Sequence, residues 1–469
     1  MIRKVTPRTG GANVTDVDLI VLGGGSGGYA CSLRAAELGL KVALIERDRL
    51  GGTCLHKGCI PTKALLHTAE IADGVTEGEV FGVNATLNGI DMGGVNSYKD
   101  RVVSRLWKGL QGLVAMRKIE LIYGEGRLES PTSVRVGDRV ITGRHVVLAT
   151  GSTPRSLPGL DIDGVRIITS DHALQLGYIP KKVIVLGGGV IGLEFASVWR
   201  SFGADVAIIE ALPRLLANED EFSSKQIERA YRRRKIRFDL GARFSSATVT
   251  DDGVSVTLEN GTAMDADLLL VAVGRGPVSQ GLGYEEAGVA MDRGLVLVDE
   301  YCRTNVETIS AVGDLIPTLQ LAHVGFAEGI MVAERVGGMS PPPVDYDAVP
   351  RVTYSRPEVA SVGLTSAQAH ERGYETEEFT YDLAGNGRAQ ILQEAGGVKV
   401  IAKKGGGPVL GIHMVGPRVG DLIAEAQLIY GWEATPLDVA QHIHAHPTLS
   451  EAVGEAHLAL AGKPLHVHG

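Results

Sequence analysis

The chain contains the same module twice, and this repeat limits its fold more than any other feature. Asp18 to Leu22, DLIVL, is a short β-branched apolar run. It leads into Gly23-Gly24-Gly25-Ser26-Gly27-Gly28, then a helix-like stretch, YACSLRAAELG, then a second strand, KVALIE, ending at Glu46. Lys182 to Leu186, KVIVL, leads into Gly187-Gly188-Gly189-Val190-Ile191-Gly192, then LEFASVWRSFG, then ADVAIIE ending at Glu210. The acid follows the first glycine by 23 residues in both copies, from 23 to 46 and from 187 to 210. Gly23 and Gly187 make the tight turn. Gly25 and Gly189 let the backbone approach a pyrophosphate, and Gly28 and Gly192 let helix pack on strand. The helix N-terminus offers free N–H groups and its positive dipole end to the phosphates. Glu46 and Glu210 accept hydrogen bonds from ribose hydroxyls. One such glycine pattern is a weak signal. Two, each in full strand–helix–strand context, predict two dinucleotide sites and hence two cofactors exchanging electrons. Glu210 suits a free 2′-hydroxyl and repels a 2′-phosphate. Ala211, Leu212 and Pro213 follow it, and Arg214 is the first base, so NAD is favoured over NADP.

The 469 residues allow roughly three domains. An apolar content of 44% excludes a disordered polymer. The net charge of −9 argues against a nucleic-acid binder or a polybasic membrane surface. The N-terminus lacks an apolar core of signal-peptide length. No stretch approaches the ~18 apolar residues of a membrane span. Four cysteines are too few for a disulfide-stapled secreted fold. A soluble, cytoplasmic protein is expected.

Two of those cysteines lie together in Gly51-Gly52-Thr53-Cys54-Leu55-His56-Lys57-Gly58-Cys59-Ile60-Pro61-Thr62-Lys63. Two unrelated buried thiols are one reading. An iron–sulfur site needs further cysteines close by, and none follows until Cys302. Zinc needs two more ligands, for which His56 and His67 are the nearby candidates. A redox disulfide fits best. Residues five apart on a regular helix lie somewhat beyond the ~7 Å Cα limit for bridging. The helix must therefore be distorted, which Gly58 and Pro61 allow. A strained disulfide beside a nucleotide is the labile kind.

This segment resembles the redox-active segment of the flavoprotein disulfide reductases, and within them it is most similar to the members that oxidise dihydrolipoyl groups. Other landmarks of that family appear in order. Ala149-Thr150-Gly151-Ser152 resembles the end of its FAD domain, and Gly274-Arg275 the strand end closing its NAD site. Ala311-Val312-Gly313-Asp314 resembles its second FAD fingerprint, whose aspartate holds the ribityl chain. GIHMVGPRVGDLI and HIHAHPTLSEAV resemble its C-terminal interface domain. The match runs from about Asp18 to about Pro464. The resemblance implies Gly52, Thr53, Lys63, Gly126, Ser152, Asp314 and Ala322 as further FAD contacts, and Gly274 as a further NAD contact. It implies Cys54 and Cys59 as the redox pair. Lys63 is implied near the flavin and paired with Glu194.

His442, His444 and His446 alternate, as metal ligands on one face of a strand do. The resemblance assigns His446 instead as general acid–base, oriented by Glu451, which is the usual base-plus-orienter arrangement. His442 and His444 then have structural roles. Cys31 and Cys302 read as core, and His466 and His468 as exposed. His56-Lys57 stands where many relatives have Asn-Val, which adds positive charge beside the pair and is expected to lower a thiol pKa.

The implied fold class is α/β, with two Rossmann-like dinucleotide-binding domains and a C-terminal α+β interface domain. The expected boundaries are 1–151 (FAD), 152–277 (NAD), 278–345 (a central segment completing the FAD site) and 346–469 (interface). Pro341-Pro342-Pro343 is the stiff linker, and 421–430 an amphipathic helix. The implied activity is oxidation of a dihydrolipoyl group by NAD⁺ in a homodimer, with His446 of one copy serving the Cys54–Cys59 pair of the other. The implied partner is a lipoyl-bearing acyltransferase or the glycine-cleavage carrier protein. The alternatives are a reductase of another small disulfide and a flavin diaphorase. A diaphorase has no thiol to deprotonate and so no need for His446 with Glu451.

Overall fold

The computed structural model describes residues 14–466. His468 and the N-terminal residues ahead of Val14 lie outside them. The chain forms two compact units, each built from three separate stretches.

The first unit contains residues 14–61, 100–153 and 275–344. Strand Val14–Leu22 lies between Val42–Glu46 and Arg139–Leu148, parallel to both. Strands of a parallel sheet covered on both faces read as continuous apolar runs. Leu19 to Leu22 and Val42 to Ile45 are accordingly all buried. Glu120–Tyr123 extends one edge, and the hairpin Ser133–Val136 and Gly126–Ser130 the other. Ile309–Ala311 adds in parallel to Arg139–Leu148. This pairing brings the Gly313-Asp314 turn to the same sheet as the first glycine turn. Helices Ser26–Glu37 and Ala322–Val336 meet backbone to backbone: a Cβ on Gly329 would stand 2.3 Å from the Gly27 carbonyl oxygen. Cys31 and Cys302 are both buried in this core, as expected.

The second unit contains residues 62–99, 154–274 and 345–466. Its parallel sheet runs Arg237–Leu240, Asp205–Glu210, Lys182–Leu186, Leu268–Val271, Ile167–Ile168. A separate five-stranded antiparallel sheet is formed by 351–416, in the order Arg351–Thr353, Glu358–Gly363, Val409–Gly416, Gly397–Lys403, Thr376–Asp382. The helix expected over 421–430 spans Val419–Gly431, with Val419, Ile423, Ala426 and Ile429 buried at helical spacing. No described helix is long and apolar enough to cross a membrane.

Within this unit Asp220 caps helix Glu221–Arg233. It accepts the Phe222 N–H at 2.9 Å, the Ser366 N–H at 3.0 Å and the Lys399 ammonium at 3.0 Å. Burial opposes its ionisation, but His413, these two N–H groups and Lys399 outweigh it and hold its pKa at about 2. We expect Asp220→Asn to cost roughly 1–3 kcal/mol at pH 7. A depressed folded-state pKa contributes stability that is present above the ordinary value of 3.8 and lost as pH falls towards about 2. Denaturant unfolding at pH 7 and pH 3 checks this: the gap between the two proteins should narrow at the lower pH.

Candidate functional site

Both glycine turns have the geometry a dinucleotide requires. A Cβ on Gly28 would stand 1.8 Å from the Gly23 carbonyl oxygen, and one on Gly192 would stand 2.0 Å from that of Gly187. These glycines are bare so that the helix can sit on the strand. Gly25 and Gly189, by contrast, have nothing within 4 Å of a built Cβ. Each faces the open space at the N-terminus of its helix, where a pyrophosphate fits. Glu46 accepts the Gly24 N–H at 2.7 Å and the Asp48 N–H at 2.8 Å. Glu210 does the same with Gly188 at 2.6 Å and Leu212 at 2.7 Å. Each acid is thus fixed beside its turn. Arg214, the first base after Glu210, donates to the carbonyls of Ala217 at 2.7 Å and Glu219 at 3.2 Å. It is therefore not turned to a 2′-phosphate.

The cysteine segment begins at Gly51, at φ 110°, and Gly52, at φ 58°. A Cβ on Gly52 would lie 2.6 Å from the Gly25 Cα, so this segment starts against the first nucleotide turn. Cys54 lies on helix Gly52–Lys57 and Cys59 opens helix Cys59–Thr76. The expected distortion is at Gly58 alone, which leaves helical geometry at φ −147°, ψ −113°. Pro61 breaks nothing: it is the third residue of the second helix, where a missing N–H costs no hydrogen bond. Thr53, Cys54 and Cys59 are half-buried. The Tyr29 hydroxyl, in the same unit, is pushed up to about 12 by burial and then by Cys54 and Cys59. His56 bonds the Leu50 carbonyl at 3.0 Å and stands edge-on to Trp107. Lys57 points to Asp48 at 3.3 Å, and this carboxylate offsets the positive charge expected beside the thiols. Among the described residues no group of three His, Cys, Asp or Glu side chains is arranged to hold a metal.

Three distant stretches meet around Ser152. Its hydroxyl donates to Asp314 at 2.5 Å and accepts from Arg275 Nε at 2.7 Å. Arg275 also donates to the Ser152 carbonyl at 2.8 Å. Glu328, absent from the sequence-derived set, accepts the Gly313 N–H at 2.6 Å and fixes that turn. Ala322 opens helix Ala322–Val336, whose N-cap, Leu321, makes no side-chain cap bond. Gly126 packs its bare Cα against Leu22 and Ile45, so only its backbone can meet a ligand. Gly274, at φ 109°, has open space where a side chain would stand.

In the second unit Lys63 bonds both oxygens of Glu194, at 2.8 and 3.0 Å, across 131 residues. Tyr354, which the sequence did not single out, adds its N–H to Glu194 at 3.0 Å. Its ring lies 4.8 Å from the Lys63 ammonium. Tyr354 thus holds both members of the pair.

His446 Nδ1 donates to Glu451 Oε1 at 2.8 Å, and the Thr448 N–H donates to Oε2 at 2.7 Å. Burial opposes ionisation of Glu451, but these two bonds hold its carboxyl below the ordinary value. The ring tautomer is set, because a carboxylate only accepts. The three alternating histidines do not lie on a strand; the chain there is irregular. His444 is tied to Glu425 at 2.6 Å, which raises its pKa, and His442 is exposed.

Residues 17–329 match the family described as pyridine nucleotide-disulphide oxidoreductase, and 349–457 match its dimerisation domain. The chain belongs to this family. The chain is 41% identical to dihydrolipoyl dehydrogenase of Bacillus subtilis, with 96% of this chain and 99% of that one covered. It is 39% identical to the mitochondrial dihydrolipoyl dehydrogenase of Pisum sativum, covering 96% and 92%. Among solved structures it is similar to LpdA of Mycobacterium tuberculosis, with a TM-score of 0.88, 26% identity and 95% and 99% coverage. The flavoprotein disulfide reductase RclA of Escherichia coli gives 0.84, 27%, and 94% and 99%.

For this oxidoreductase the two kinds of turn glycine separate folding from binding. Gly192→Ala should lose roughly 1–3 kcal/mol of stability through overpacking. Gly189→Ala should keep its unfolding free energy within about 0.5 kcal/mol but bind NADH roughly tenfold more weakly. Denaturant melts and fluorescence titration with NADH check both.

Proposed function

We propose that this oxidoreductase is a dihydrolipoyl dehydrogenase. It oxidises a protein-bound dihydrolipoyl group to the cyclic disulfide and passes the electrons through Cys54–Cys59 and FAD to NAD⁺. FAD belongs to the first glycine turn and NAD to the second. The observation that carries the reading is the His446–Glu451 pair at 2.8 Å. A chain using only flavin and nicotinamide needs no oriented base, whereas a dithiol substrate does. Relatives of this name at about 40% identity, aligned over nearly the whole chain, support it.

His446 takes a proton through Nε2 from the substrate dithiol, while Glu451 stabilises the imidazolium formed. The substrate thiolate attacks Cys54 in the Cys54–Cys59 disulfide. That attack expels Cys59 as a thiolate, and the second substrate thiol then attacks the substrate sulfur bound to Cys54, closes the cyclic disulfide and expels Cys54, which takes up that thiol's proton. FAD bound at the first glycine turn would supply the hydride chemistry that links the thiol pair to NAD⁺. Lys63, held by Glu194, supplies positive charge where the reduced flavin would carry negative charge. Gly25 and Gly189 make room for the two pyrophosphates, and Glu46 and Glu210 meet the riboses. Ser152, Asp314 and the N-terminus of the Ala322 helix complete the FAD site, with Gly52, Thr53 and the Gly126 backbone. Gly274 closes the NAD site.

In this reading the domains are 1–151 for FAD, 152–277 for NAD, 278–345 as central segment and 346–469 for dimerisation. The enzyme works as a cytoplasmic homodimer in which His446 of one copy serves the thiol pair of the other. Its lipoyl-bearing partner is the acyltransferase of a 2-oxo acid complex or the glycine-cleavage carrier.

Dihydrolipoamide oxidation by NAD⁺ tests the proposal, with NADP⁺ alongside. Cys54→Ser and His446→Gln should each lose roughly 10²-fold or more. Both should still pass electrons from NADH to an artificial one-electron acceptor. Glu194→Lys should slow flavin reduction by NADH in stopped flow. Absence of dihydrolipoamide oxidation by the FAD-loaded wild type would overturn the assignment.

A further inference from the structure

Helix Glu451–Leu460 carries a second histidine–carboxylate pair that the reaction above leaves unused. Glu451 and Glu455 are four residues apart and so share a helix face. Glu455 Oε1 accepts His466 Nδ1 at 2.8 Å, and Oε2 accepts the His466 backbone N–H at 3.2 Å. The His446–Glu451 pair has the same plan, with Nδ1 on Oε1 and a backbone N–H on Oε2. The carboxylates are sheltered, with side chains 23% and 9% exposed, and the rings face outward at 77% and 63%. In both pairs Nδ1 is committed to the acid, so Nε2 is the nitrogen that exchanges protons.

The two pairs are also electrostatic neighbours. Tyr381, on strand Thr376–Asp382, has its hydroxyl pKa raised by burial and then by Glu455 and Glu451. The Glu451 carboxyl is in turn stabilised as an anion by His466 as well as by His446.

Proton balance gives the second pair a task. A dithiol plus NAD⁺ yields a disulfide, NADH and one proton. Two S–H bonds break, one S–S bond forms and two electrons leave as a hydride. One proton must therefore reach solvent in each turnover, and His446 must discharge it before it can act again. We propose that His466, oriented by Glu455, is a positioning residue for proton release, taking through water the proton that His446 has accepted and passing it to solvent. The proposal rests on the reading of His446 as the base.

The test uses the full-length, FAD-loaded enzyme oxidising dihydrolipoamide with NAD⁺ in dilute buffer. His466→Gln should lower kcat roughly three- to tenfold, less than loss of a primary base because solvent substitutes in part, with KM unchanged. Added imidazole should restore the rate, which it would not do for a purely structural defect. Glu455→Gln keeps an acceptor for the His466 N–H and should show the same imidazole-dependent loss, so it replaces His466→Gln if that variant fails to fold. Wild-type kcat in dilute buffer, or a loss that imidazole does not restore, overturns the proposal. His446→Gln is run alongside. If it retains full activity, the base assignment has failed rather than the relay alone.

Discussion

The fit of a helix onto a strand through two bare glycines underlies the rest of the molecule. At Gly28 and Gly192 a single methyl group would overlap a turn carbonyl at 1.8 and 2.0 Å. Because that methyl is absent, the helix N-terminus reaches the end of the first strand. The second strand then brings its carboxylate to the second glycine's N–H. Turn, helix and acid form one closed unit. In the first module the Cys54 helix starts against the same turn, at Gly52 on Gly25, so the position of the thiol segment follows from the same absence of side chains.

A second theme is how the working carboxylates are held. Glu46, Glu210, Glu194 and Glu451 each accept at least one backbone N–H. A charge-assisted bond to the main chain fixes orientation without using up a side chain. It also leaves lone pairs for a histidine or a lysine, and for a ribose where a nucleotide binds. The orienting cost is met during folding, so the site need not meet it in each turnover.

Local features were legible in the sequence. Both strand–turn–helix–strand modules and the Val419–Gly431 helix follow from period and glycine placement, and the structure has them where expected. Features that depend on distant contacts were legible only through resemblance or not at all. Lys63 and Glu194 are 131 residues apart, and nothing near either names the other. Tyr354, Glu328 and the Glu455–His466 pair had no signal beyond the four-residue spacing of the two acids. One local expectation was wrong for a physical reason. Pro61 looked like a helix breaker but sits in a first turn that needs no N–H from it. His442, His444 and His446 occupy an irregular segment with no partner strand among the described residues, in keeping with the metal-on-a-strand reading having been set aside. The charge of Lys57 was visible, whereas its pairing with Asp48 was not.

The two modules share one turn but differ in what surrounds it. The first turn is joined by the Ser152–Asp314–Arg275 cluster and by the Gly313 turn that Glu328 fixes. At the second turn, Arg214, the first base after its acid, is spent on backbone carbonyls. A glycine turn alone gives an anion a place to rest without a reason to stay. Side chains gathered at a turn offer an occupant contacts beyond the main chain, which is what a resident group needs and a visiting one does not.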